Sequence, residues 1–260
     1  MTDASSALLT ISDLDIMVAG RTLVAKLQLA VAAGDTLAIL GRNGSGKTTL
    51  LHTLANLRAP AGGKLALCGR PYENYEPRAA AHLRGLLTQS QNDSFPSSVL
   101  ETALIGRHPH LGRWAWEGAA DERIALAALA AVGLAGLEQR QVSSLSGGER
   151  QRLAIATLLT QQPRLYLLDE PLAHLDLGHQ IAILELVQRH AGEHKAGFIL
   201  ALHDVNLALH YCRHALLLFG DGRWIAGPSQ EVLTAENLSA LYDHPLHAIE
   251  DGATRYFIAA

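Results

Sequence analysis

The sequence predicts an α/β fold: a mostly parallel sheet with helices on both faces, interrupted by an inserted helical segment of about 70 residues. Two observations carry this. Short apolar runs at Thr36–Leu40, Leu165–Leu168, Phe198–Leu202 and Ala215–Phe219 have strand length, and helical stretches separate the last three. Between Gln89 and Gln161 the strand pattern gives way to alanine-rich, helix-forming sequence.

In chain order, Leu23–Val31 alternates loosely and reads as a strand, followed by the run Thr36–Leu40, which ends in glycine. A helix is expected within Gly46–Asn56, and further strands at Lys64–Cys68 and Gly85–Thr88. Gln91–Ser98 is polar and contains Pro96, so it reads as loop. Val99–Ile105, Asp121–Val132 and Gly147–Gln161 read as helices, with Gly106–Gly118 irregular between the first two. Strands at Leu165–Leu168, Phe198–Leu202 and Ala215–Phe219 then enclose helices at Gly178–His190 and Asp204–Tyr211. The expectation is one bilobed domain over 1–260, with 1–89 and 162–260 as a core lobe and 90–161 as a helical lobe.

Composition narrows the function. A net charge of −4 gives no general reason to expect nucleic-acid binding. Two cysteines, Cys68 and Cys212, lie far apart, so a disulfide framework is not expected and a reducing cytosol fits. Met1–Thr10 lacks the basic segment and apolar core of a secretory signal, and the apolar runs are too short to span a bilayer.

Gly41-Arg42-Asn43-Gly44-Ser45-Gly46-Lys47-Thr48, followed by Thr49, fits GxxxxGK[ST] in full, after a strand and before a helix. Its glycines let backbone N–H groups turn inward around an anion, and the helix N-terminus adds partial positive charge. Lys47 can reach the β- and γ-phosphates of a nucleotide, and the Thr48 hydroxyl can ligate Mg2+. Kinases and GTPases share this cradle, so alone it says only nucleotide binding. Leu165–Leu168 leads into Asp169 and Glu170. Asp169 can hold Mg2+ through water, and Glu170 is placed to polarise an attacking water.

Leu145-Ser146-Gly147-Gly148-Glu149-Arg150-Gln151-Arg152 narrows the class. Ser146 is an N-cap candidate with Glu149 completing a capping box, and Gly147 and Gly148 leave helical N–H groups open to an anion. Here the chain resembles the ABC ATPase family, whose signature is LSGGQ-like. The resemblance covers nearly the whole chain. It implies a P-loop NTPase with a RecA-like sheet core, an N-terminal antiparallel β region and a helical subdomain. It implies ATP and Mg2+ as cofactors. Ser146, Gly147 and Gly148 would then cap the γ-phosphate held by a second copy.

Smaller motifs fall where the family has them. Gln89 matches the glutamine that touches Mg2+ and water, with Gln91 a nearby competitor. Ala173-His174-Leu175-Asp176 resembles the loop that crosses the dimer interface, and His203 matches the histidine that contacts the γ-phosphate. The family often stacks adenine on an aromatic residue near the position of Val18, but no aromatic residue occurs before Tyr72. Gly106-Arg107-His108-Pro109-His110-Leu111-Gly112-Arg113 and His203–Ala208 are similar to segments of importers of iron–siderophore, haem and cobalamin. The resemblance implies a peripheral subunit on the cytoplasmic face of the membrane. Its partners would be a second copy, a membrane permease and, indirectly, a substrate-binding protein. A soluble ABC ATPase with a regulatory or assembly role is the alternative. Trp114 and Trp116 are open to two readings, as anchors for the permease or as packing within the helical lobe.

Overall fold

The structure is a computed structural model that describes residues 7–89, 96–112, 114–252 and 254–260. Apolar residues of β1 (Ala7–Val18), β2 (Arg21–Ala32), β4 (Gly62–Leu67) and the short β5 (Arg70–Pro71) build an antiparallel sheet in the order β2-β1-β4-β5. Leu9, Ile11, Leu14 and Ile16 of β1 are all buried, although they are not in one period-2 phase. A register shift between Ile11 and Leu14, with Asp13 at φ 50°, re-phases the strand.

The second sheet runs β10-β9-β3-β8-β7-β6. Its members are β3 (Thr36–Leu40), β6 (Arg84–Leu87), β7 (Leu165–Asp169), β8 (Gly197–Ala201), β9 (His214–Leu218) and β10 (Trp224–Pro228). All neighbours pair in parallel except β9 with β10. Parallel strands buried on both faces read as continuous apolar runs. Here alternate residues feed two cores. Leu37, Ile39, Leu167 and Ile199 join α1 (Lys47–Leu54) and the antiparallel sheet. Ala38, Leu40, Tyr166, Leu168, Phe198 and Leu200 join the helical segment and the C-terminal helices. Tyr166 and Phe198 stack at 4.4 Å across β7 and β8.

The helices are α2 (Pro77–Leu83), α3 (Val99–Leu104), α4 (Ala119–Ala131), α5 (Gly147–Gln161), α6 (Leu177–His194), α7 (Val205–Tyr211), α8 (Ser229–Val232) and α9 (Ala235–Tyr242). The C-terminal hairpin β11 (Leu246–Asp251) and β12 (Thr254–Ala259) is fastened to α7 by Asn206. Its Oδ1 accepts from the Phe257 N–H at 2.7 Å and its Nδ2 donates to the Phe257 carbonyl at 3.1 Å.

The stretch expected to be irregular at Gly106–Gly118 is ordered in its first part, where Ile105–His110 forms a 3-10 helix against α5. Gly106 allows the contact, because a side chain there would strike the Thr157 carbonyl. Arg107, 8% exposed, donates from Nε to Asp121 Oδ1 at 2.8 Å and from its guanidinium to the Thr160 carbonyl and Gln162 Oε1, each at 3.1 Å. His110 Nε2 lies 2.8 Å from the Gln161 carbonyl.

Replacing Arg107 with Ala strands the half-buried Asp121 carboxylate, the Thr160 carbonyl of α5 and Gln162 just beyond that helix. It is expected to cost about 2 kcal/mol in urea unfolding, and an unchanged midpoint would contradict the stapling role.

Candidate functional site

Parallel pairing brings four separated segments to one edge of the sheet. The carboxyl end of β3 opens into Gly41–Thr48, β8 into His203, β7 into Asp169 and Glu170, and β6 into Gln89. Because the strand order is β3-β8-β7-β6, these groups line the edge in that sequence. The carboxyl edge of such sheets is where ligands bind.

In the first segment, Gly44 and Gly46 adopt φ of 78° and 104°, conformations open to glycine. They wrap the loop around the start of α1, whose first turn carries no acidic residue to compete for its N–H groups. Lys47 is 6% exposed, and its Nζ donates to the Gly41 carbonyl at 2.8 Å and the Arg42 carbonyl at 3.4 Å. Burial pulls its pKa below the ordinary lysine range, and the charges of Glu170 and Asp169 oppose that pull. Ser45 Oγ is buried without a partner among the described residues, whereas Arg42, Asn43 and Thr48 are exposed and Thr49 is half-buried. The loop is thus a concave set of donors around a cation, suited to phosphate oxygens.

Asp169 is 1% exposed, and among the described residues neither carboxylate oxygen has a hydrogen-bond partner of regular geometry. Burial raises its pKa, the Thr48 hydroxyl opposes this, Glu170 adds to it, and His52 and Lys47 lower it again. A buried orphan carboxylate beside a hydroxyl fits a hard divalent cation such as Mg2+.

Glu170 leaves β7 at φ 50°, a left-handed turn that aims its side chain along the edge. Gln89 Nε2 donates to its Oε2 at 2.9 Å, and His203 Nε2 lies 2.8 Å from its Oε1. Gln91 lies outside the described residues.

Ser146, Gly147 and Gly148 open α5 at a different place, and no hydrogen bond or ion pair among the described residues joins them to Gly41–Thr48. The Glu149 N–H donates to Ser146 Oγ at 3.2 Å, and the Ser146 N–H donates to Glu149 Oε2 at 2.7 Å, closing the capping box. The Ser146 hydrogen bonds hold the Glu149 carboxyl below the usual range. His174, at φ 63°, lays its carbonyl against Gly148, and Asp176 caps α6.

Gln151 has no role in the sequence reading. Its Nε2 donates to the Pro171 carbonyl at 3.0 Å and the Glu170 carbonyl at 3.3 Å, so α5 braces the Glu170 turn. Its place on the helix after Ser146 was the available signal. Trp114 and Trp116 are both 89% exposed and do not pack into the helical segment. Val18 is half-buried at the end of β1, opposite Arg21, and Leu23 packs on Gly46.

Residues 24–173 match the ABC transporter family model. The chain is 42% identical over 247 residues to the hemin import ATP-binding protein of Deinococcus radiodurans, covering 93% of this chain and 92% of that one. It is 37% identical to the ferric enterobactin transport ATP-binding protein of Escherichia coli, covering 88% and 85%. A solved metal-chelate type ABC transporter in an inward-facing conformation superposes with a TM-score of 0.85, at 29% identity and 98% coverage of each chain.

The raised pKa of Asp169 has a stability consequence. A carboxyl whose folded pKa exceeds its unfolded value binds more protons when folded. The ligand-free protein is therefore penalised once pH rises through the folded pKa, and the penalty vanishes below the unfolded one. Asp169→Asn is expected to raise the melting temperature at pH 7 by roughly 2–4 °C for each kcal/mol relieved, with the gap closing near pH 4. A lower melting temperature at pH 7 would contradict this.

Proposed function

The chain belongs to the ABC transporter family, and on that premise we propose that it powers uptake of a metal chelate through a separate membrane permease. ATP hydrolysis is its chemistry. The observation that best supports the site is the meeting of the Gly41–Thr48 cradle, Asp169, and the Gln89–Glu170–His203 chain at one sheet edge. The cargo reading rests on the Gly106–Arg113 segment and on the names of the hemin and ferric enterobactin relatives. It covers haem, iron–siderophore and cobalamin.

The phosphates of ATP lie on the loop and the first turn of α1, with Gly41 to Thr49 as binding residues. Lys47 turns from the Gly41 carbonyl to the β- and γ-phosphate oxygens, which also ends the mismatch of a buried ammonium held only by carbonyls. Thr48, Asp169 and Gln89 would hold Mg2+, which would neutralise charge on the phosphates. Glu170 orients the attacking water and takes its proton on a carboxylate oxygen. Gln89 and His203 occupy both of those oxygens at rest, so one must let go first. A γ-phosphate that attracts His203 frees Oε1 for this work. With no aromatic residue before Tyr72, the base is held by apolar contact alone or by another residue.

Ser146, Gly147 and Gly148 serve the nucleotide of a second copy, so hydrolysis needs a pair of chains. The permease docks on the helical lobe, 90–161, where His108, Leu111, Trp114 and Trp116 line a groove of about 470 Å³ whose rim is completed by Arg78 of α2. Among the described residues no helix is long and apolar enough to cross a membrane, and a peripheral place on the cytoplasmic face follows from permease docking. A binding protein would deliver cargo to the permease.

Glu170→Gln is expected to cut hydrolysis by about 100-fold or more while ATP still drives pairing of chains in light scattering. Normal turnover would sink the base assignment. Replacing Trp114 and Trp116 together with Ala should weaken permease binding about 30-fold, the equivalent of a 2 kcal/mol hot spot. ATPase activity of the isolated chain should stay within about two-fold, and undiminished transport would remove both residues from the interface.

A further inference from the structure

A trough of about 710 Å³ runs between α4 and α6, floored by the Gln162–Arg164 turn. It lies at the amino end of β7, one five-residue strand and so roughly 17 Å from Asp169. Ile124, Ala128, Leu159 and Leu186 make its lining apolar. Three arginines from three elements surround it: Arg123 of α4, Arg164 before β7, and Arg189 of α6. Among the described residues Arg123 and Arg189 make no hydrogen bond or ion pair, and the Arg164 guanidinium reaches the Cys68 sulfur at 3.7 Å. Among the described residues Glu193 is the one carboxylate in the lining, beside His194. His190 sits deeper, with Nε2 3.0 Å from the Tyr166 hydroxyl. Burial pushes its pKa down to about 4, so the positive charge here comes from the arginines.

Guanidinium groups around a low-dielectric concavity focus positive potential into it. Arginine forks match carboxylates bidentately, and apolar walls repay burial of an apolar body. Inorganic phosphate could meet one or two of the arginines but would leave those walls wet. We propose that this trough binds an amphipathic organic anion, with an apolar body on Ile124 and Leu186 and two carboxylates paired with Arg123 and Arg189. Such a ligand ties α4, in the inserted helical segment, to α6, packed on the sheet. It therefore binds one relative placement of the two best, and its coupling to ATP binding is reciprocal.

Protoporphyrin IX, an apolar dicarboxylate, is a suitable probe, titrated by its fluorescence against the full chain. The expected result is one saturable site per chain, with affinity at least ten-fold weaker for the dimethyl ester. The double substitution Arg123→Gln with Arg189→Gln should weaken binding at least ten-fold while ATP binding is unchanged. Ala127→Trp, which fills the trough and keeps the arginines, should weaken it comparably and guards against a misfolded arginine variant. A non-hydrolysable ATP analogue should shift the porphyrin affinity by the factor that porphyrin shifts the analogue's. No saturable binding, equal binding of acid and ester, or indifference to both sets of substitutions would each overturn the site.

Discussion

Parallel hydrogen bonding among β3, β8, β7 and β6 is the constraint on which the rest depends. It fixes which end of each strand meets its neighbours' like ends. Adjacent strands lie about 4.8 Å apart, so groups carried just past those ends are within reach of one another. The cradle, His203, the Asp169–Glu170 pair and Gln89 need no further device to find one another. Side-chain period does the remaining sorting. Tyr166 and Leu168 go to one core, Leu165 and Leu167 to the other, and Asp169 ends buried beside α1.

Much of this was legible because the chemistry sits in short contiguous motifs on strand ends. The strands at Thr36–Leu40, Leu165–Leu168 and Phe198–Leu202 are continuous apolar runs, and Gly147–Gln161 matches its helix to the residue. β1 was not legible as a strand because its register shifts break the period-2 alternation. The C-terminal hairpin was missed because Phe257 is its one fully buried residue among those described, so no hydrophobic pattern announces it. Hydrogen bonds from Asn206 to the Phe257 backbone, invisible in any local window, hold it in place. The same limit hid Gln151, whose partners are the carbonyls of Glu170 and Pro171. Gly106–Gly118 reads as irregular from its Gly and Pro content, yet Arg107 within it is a buried staple. The tryptophans after it, expected to pack or to dock, are exposed.

The site also illustrates how charge is stored before it is used. Lys47 is buried against carbonyls and Asp169 is buried with only the Thr48 hydroxyl at hand, so each charged form is disfavoured where it stands. Their mutual attraction offsets part of that cost without a direct contact. A polyanion with a bound cation satisfies both at once, which a neutral ligand cannot. Glu170 is in the opposite condition, fully satisfied by Gln89 and His203. The site thus holds two groups that gain from ligand and one that must be released by it.

The pairing of β3 with β8 and β9 has a meaning for the protein during its synthesis. Leu37 pairs with Ile199 and with His214, residues that leave the ribosome long after the cradle motif itself. A nascent or truncated chain can contain every residue of Gly41–Thr49 and still lack the strands that hold that loop open. The order of the sheet therefore makes the frame of the cradle a late product: the strands on either side of β3 both exist only once synthesis has passed β9.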